Sequence, residues 1–274
     1  MEIVSNFLLQ TVFSVGVIAI FGLLLALSRT VFIKIAGNAG ATTLRITGAL
    51  GTPVHELSHA LFCNLFGHKI TGISLYRPNA EDGTLGYVEH SYNPRNLYQQ
   101  VGNFFIGIAP ILGGSAVIFL LMRLLTPSLF TDVVDELHFA ALIDFNLTDA
   151  SSYGAFFGLL WEMVRAVFDF SNAGNALWWL FIVLSLTIAS HMELSGADLA
   201  GGWKGFLFVA LLLLLADVAM YFFAPGAMEA VTAAITGFSA TAAGFLSVAL
   251  TFAWGMVLIA LALKGGIKLF KKNP

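Results

Sequence analysis

Long apolar runs alternate with short polar breaks along this chain, and the runs have the length that a bilayer demands. A hydrocarbon core of ~30 Å needs about 20 helical residues, and such windows occur at residues 7–28, 102–125, 174–194, 204–223 and 240–263. Segment 46–66 joins them weakly, because Arg45 stands at its edge and Gly48 and Gly51 interrupt its first half. Thr52-Pro53 reads there as an N-cap followed by Pro at the first helical position, which predicts a fresh half-length helix. In "AFFGLLWEMVRAVFDF", residues 155–170, Glu162, Arg165 and Asp169 share one face, the pattern of an interfacial helix.

Residues 68–92 change character. "KITGISLY" and "TLGYVEHSY" are β-rich runs joined by "RPNAEDG", which predicts a β-hairpin. The expected fold is an all-α polytopic membrane protein with about six transmembrane helices and a short cytoplasmic β-hairpin after segment 46–66. It forms a single domain over 1–274, with an N-terminal anchor at 7–28, a core at 46–204 and C-terminal helices at 204–263. Met1 to Gln10 lacks a basic region, so the first apolar run is expected to stay as an anchor instead of being cleaved.

Composition narrows the class. Of 274 residues 58% are hydrophobic and only 11% are charged, with a mean hydropathy of +0.86; soluble domains carry charge at about a quarter of their positions. A net charge of -3 with scattered cations argues against nucleic acid as a partner. The single cysteine, Cys63, excludes an internal disulfide framework and is expected to be a packed core thiol. Segment 126–153 holds Asp132, Asp135, Glu136, Asp144 and Asp149 without Lys or Arg, whereas Lys264, Lys268, Lys271 and Lys272 end the chain. The positive-inside tendency then places a multi-pass protein in the cell membrane with its C-terminus in the cytoplasm and the acidic loop outside.

Against this background "GTPVHELSHALFCNLFG", residues 51–67, raises a chemical question, since it sets two histidines and a glutamate in an apolar helix. Residues four apart lie one turn above each other, so His55 and His59 can turn imidazole nitrogens toward one ion, with Glu56 beside it. Zn2+ accepts such ligands and activates water, and a glutamate next to the ligands serves as the base that takes the water proton. Ionisable groups at membrane depth are costly, and three together call for a common partner.

A third ligand must come from another helix. In "SHMELSGADLAGG", residues 190–202, continuation of the preceding helix would put His191, Ser195 and Asp198 on one face. Asp198 is the first candidate and His191 the alternative. Asp217, alone in an apolar run, shows no neighbour that suggests chemistry, and His68, Glu89, His90 and His138 are expected at the surface. Small residues Ala240, Gly244 and Ser247 mark a helix contact.

The order "HELSH", then "GHKITGISLY", then "GNFFIGIAPILGG", then an aspartate before Gly-rich "DLAGG" resembles the site-2 protease family of intramembrane zinc metalloproteases, over about residues 46–125 and 186–204. The resemblance implies His55, His59 and Asp198 as zinc ligands, Glu56 as base, Pro110 and Gly113 as the family's Gly-Pro span, and strands that help present an extended substrate. "GADLAG" departs from the family's Leu-Asp-Gly type motif, and the acidic insertion is unusual, marks of a divergent member. The expected activity is endopeptidase cleavage of a membrane-protein substrate within the lipid bilayer. The alternative is a metal-binding transporter or sensor, which would need no Glu56 beside its ligands.

A topology reporter fused after Lys272, or inserted within 79–83, is expected to read cytoplasmic, and one within 132–149 external. An opposite reading at 132–149 overturns the span count.

Overall fold

The structure, a computed structural model, describes residues 2–141 and 150–272. Asp144 and Asp149, and the side chains of Glu136, His138, Lys268, Lys271 and Lys272, lie outside the described residues. Helix α1 (Glu2–Thr11) passes through a π-helical turn, Val12–Gly16, into α2 (Val17–Ala36), and α3 (Asn38–Leu65) follows directly after Gly37. Strands β1 (Lys69–Ser74) and β2 (Tyr87–Ser91) lead to α4 (Leu97–Leu125), α5 (Pro127–Ala141) and α6 (Ala150–Val167). After a 3-10 turn come α7 (Ala176–Ala189), α8 (Gly196–Phe223) and α9 (Pro225–Lys272). The hairpin forms where the β-rich runs predict it, as one antiparallel pair with Lys69 opposite Ser91 and Ser74 opposite Tyr87.

Among the described residues four helices are long and apolar enough to cross a membrane: Ile3–Ala36, Leu97–Leu125, Gly196–Phe223 and Gly226–Gly265. Only 6% of the apolar window in α8 is buried inside the protein, and Leu207, Leu211, Leu215 and Phe222 are exposed along it. So much bare apolar surface is tolerable against lipid and not against water. The other two expected spans are helices of a different kind. α7 has 14 residues, a rise of about 21 Å, because Asn175 caps its start by accepting from Leu177 N–H at 2.9 Å. α3 is long, yet Asn38, Thr42, Thr43, Arg45 and Thr47 make its first half polar.

Three expectations need correction. α3 does not restart at Thr52; it runs unbroken over 28 residues with Pro53 inside. Pro53 removes one N–H and crowds the carbonyl four residues back, while α3 packs on α4 and α7. The helix expected at 174–194 does not run on to Asp198, since it ends at Ala189 and a new one begins at Gly196. The acidic segment after residue 126 is no loop through its first half: it is α5, which buries Leu129 and Val133 against the common core.

α4 is the central element, in contact with α3, α5, α7, α8 and α9. Its Ile111, Ile118 and Met122 are fully enclosed. Small residues allow this crowding. A Cβ on Gly107 of α4 would stand 2.6 Å from the Asp198 carbonyl and 2.8 Å from Gly202 Cα, and one on Gly205 of α8 would overlap the Phe104 main chain. α4 and α8 therefore touch backbone to backbone at the start of α8, where Asp198 lies. On another side of α4, Gly113 leaves room for Ser58 of α3, and Cys63 is fully buried as expected.

Replacing Gly205 by Val is expected to cost about 1–3 kcal/mol, since the added bulk meets backbone that cannot rotate away. Gly158 has nothing within 4 Å of a Cβ, so Gly158→Ala should be neutral or slightly stabilising. Thermal unfolding in detergent compares the two, and equal midpoints would refute the tight α4–α8 crossing.

Candidate metal centre

His55 and His59 stand one turn apart on α3 with ring centroids 4.9 Å apart. Each ring is fixed by a main-chain carbonyl. His55 Nδ1 donates to the His191 carbonyl at 2.7 Å, and His59 Nδ1 donates to the Ile106 carbonyl at 2.8 Å. A carbonyl can only accept, so the proton of each neutral imidazole sits on Nδ1 and Nε2 is left as a bare lone pair. The two Nε2 atoms face each other at 3.2 Å. Asp198 completes the group, with Oδ1 3.2 Å from His59 Nε2 and Oδ2 3.9 Å from His55 Nε2.

Three acceptors thus converge on one point, and their ligand atoms all lie within 4.8 Å of one another. A proton on one ring relieves one of these contacts, whereas a cation relieves all of them at once. The spacing fits: two nitrogens bound at 2.0–2.1 Å in a tetrahedral site lie about 3.3 Å apart. Carbonyl partners behind metal-binding imidazoles are the usual way the tautomer and ring angle are set. The donor set of two imidazoles and one carboxylate suits a divalent transition metal.

Asp198 reaches the site from the first turn of α8. Its Oδ2 accepts from the Ser195 N–H at 2.7 Å, while Ser195 Oγ accepts from the Asp198 N–H at 3.1 Å, a reciprocal capping box. The carboxylate is oriented by this pair and stabilised by the positive end of the helix dipole. The break between α7 and α8 is what allows it. His191, the alternative ligand, serves the site from behind. Its carbonyl holds His55, while its Nε2 lies 2.9 Å from Thr47 Oγ1 and its ring packs against Gly51. Beside it, Arg29 of α2 pairs with Glu193 and ties the turn to the N-terminal helix.

Glu56 is buried and stays out of the group of three. It lines a cavity of mixed polarity, about 390 Å³, together with His55, His59 and Asp198. The end of the hairpin roofs it, for Gly86 lies so close that a Cβ there would come within 2.9 Å of Glu56 Oε1. Two further residues of this cavity escaped the sequence reading. Asn103 of α4 is buried and its Nδ2 has no partner. His90 of β2 also lines the cavity, and its Nδ1 lies 3.0 Å from Nδ1 of the buried His68.

His68 and His90 are therefore not surface histidines as expected. Packing of the hairpin's base on α3 and α4 buries His68 and partly buries His90, and this burial holds both imidazoles below their ordinary pKa. Asp217 also has neighbours after all: Gln10 Nε2 donates to its Oδ1 at 2.9 Å and to Thr232 Oγ1 at 3.0 Å, joining α1, α8 and α9. Partners so distant in sequence leave no local spacing signal.

A second cavity, about 350 Å³ and almost wholly apolar, lies between the π turn, α4 and α8. Gly107 and Asp198 line both cavities.

Comparison with protein-family models, with characterised proteins and with solved structures finds no match for this chain.

Purified protein is expected to bind about one divalent transition metal per chain, with Asp198→Ala lowering occupancy at least tenfold. His191→Gln, which preserves the carbonyl that holds His55, should retain the metal. Metal analysis on both variants decides, and the reverse pattern would move the third ligand to His191.

Proposed function

We propose that this protein is a zinc-dependent endopeptidase that cleaves a membrane-protein substrate within or at the edge of the bilayer. One observation carries the reading: a fourth ionisable group, Glu56, lies in the cavity of the converging triad without belonging to it. A site made only to hold or pass an ion has no need of a carboxylate beside its ligands. A site that hydrolyses a peptide needs a base there.

His55, His59 and Asp198 would hold the zinc. When bound, zinc lowers the pKa of water to about 7 and polarises a carbonyl. Glu56 takes the proton of the attacking water and returns it to the nitrogen of the leaving amine as the C–N bond breaks. Asn103 also lines the cavity, and its Nδ2 is a buried donor with no partner. The roof at Gly86 limits the water that reaches Glu56.

The surroundings agree with a substrate drawn from the membrane. Helices long and apolar enough to span flank the site, and the apolar cavity meets the mixed one at Asp198. A spanning helix has all its amides paired, so cleavage takes place on a segment unwound into the mixed cavity. The resemblance of "HELSH", "GNFFIGIAPILGG" and "DLAGG" to the site-2 protease family points to the same chemistry.

Glu56→Gln separates binding from catalysis. The amide is nearly isosteric and leaves the three ligands untouched, so zinc should remain. Cleavage of a membrane-inserted single-helix substrate should fall by about 10²–10⁴-fold, the usual contribution of a general base. His55→Ala should lose both zinc and activity. Full cleavage by the Gln variant would sink the protease mechanism, and loss of zinc in it would turn the reading toward transport or sensing.

A further inference from the structure

The His68–His90 pair has a proton inventory that can be read from its partners. His68 Nε2 lies 2.8 Å from the Gln99 carbonyl, which can only accept, so this nitrogen carries the proton of the neutral ring. His68 is enclosed, with 4% of its surface exposed, and burial favours the neutral form. Its Nδ1 is then a bare acceptor, and the hydrogen in the 3.0 Å contact belongs to His90 Nδ1. A neutral His90 with its proton on Nδ1 has a lone pair on Nε2. Tyr92 stacks on His68 at 5.0 Å between centroids and helps hold the ring in place. The Gln99 carbonyl thus dictates, through two rings, what His90 offers to the cavity that it shares with Glu56, His59 and Asp198.

We propose that His90, locked in this tautomer by His68, accepts a main-chain N–H of the bound substrate through Nε2. The inference rests on the endopeptidase reading and specifies what the site recognises. Within a helix the N–H groups beyond the first turn are already paired, and only an unwound chain can offer one to His90. Asn103 of α4 lines the same cavity. His90 is the substrate-contacting group, and His68 is its positioning residue.

The test uses the full-length, zinc-loaded protein and a synthetic single-helix peptide in liposomes. At each amide flanking the scissile bond, but not at the bond itself, the N–H is replaced by an ester oxygen, one position at a time. The wild type should lose roughly 3- to 10-fold in kcat/KM at one position, the scale of a neutral hydrogen bond. His90→Ala should be slowed similarly on the all-amide peptide, keep its zinc, and show no further loss on that one ester. His90→Gln, which restores an acceptor, should recover part of the ester sensitivity. His68→Leu should reproduce the ester insensitivity of His90→Ala with zinc intact, a result that a general loss of packing would not give. The inference is overturned if the wild type tolerates every ester, or if His90→Ala stays sensitive at the same position. A wild type that holds zinc and cleaves no peptide of the series overturns the endopeptidase reading and this inference with it.

Discussion

Two main-chain carbonyls set the geometry of the candidate metal centre. By accepting the Nδ1 protons of His55 and His59, the His191 and Ile106 carbonyls turn two lone pairs toward each other at 3.2 Å. Neither carbonyl belongs to the helix that bears the histidines. The Ile106 carbonyl comes from α4, one turn ahead of Pro110, and the His191 carbonyl from the turn that closes α7. The site therefore exists only when α3 is clasped between α4 and α7. Backbone carbonyls suit this role, because they cannot offer a competing proton.

The third acceptor follows from a different constraint. Asp198 must reach the histidines from the first turn of α8, and the crossing of α4 and α8 must be close enough to permit it. Gly107, Gly202 and Gly205 provide that closeness by leaving no side chain between the two backbones. The chain must also stop one helix and begin another just before the aspartate, and Ser195 does so while orienting the carboxylate. A helix start, a tight crossing and an acceptor are thus one feature, built from "SGADLAGGWKG".

What the sequence made legible was local. Residues four apart on one helix placed His55, Glu56 and His59 without tertiary information, and the hairpin was visible from alternating β-rich runs around an Asp-Gly turn. Asp198 was chosen for the wrong geometric reason: a continued helix was expected to carry it, whereas a break and a capping box position it. His191 was near the site but contributes its carbonyl, which no side-chain pattern announces. His68, His90 and Asn103 were missed because their relation to the motif runs through strand register and the packing of α4, with separations of 22 residues or more between partners. The count of spans was less legible still. Hydropathy marks apolar runs but does not fix helix length, and α7, with one face packed and the other exposed, stops at 14 residues.

The two cavities give the arrangement its direction. One mixes polar and apolar walls, is roofed by the hairpin, and holds Glu56; the other is almost wholly apolar and bounded by the π turn and α8. They meet at Gly107 and Asp198, the residues at which α4 and α8 touch. A π turn widens a helix locally and is common at working sites, and here it forms one wall of the apolar space. The proposed endopeptidase would need two media within a few ångströms, an apolar one that accommodates the side chains and a polar one for water and the opened backbone. The apolar cavity along α8 would supply the first, and the cavity lined by Glu56, His90 and Asp198 the second. The convergence of His55, His59 and Asp198 falls at the seam between them.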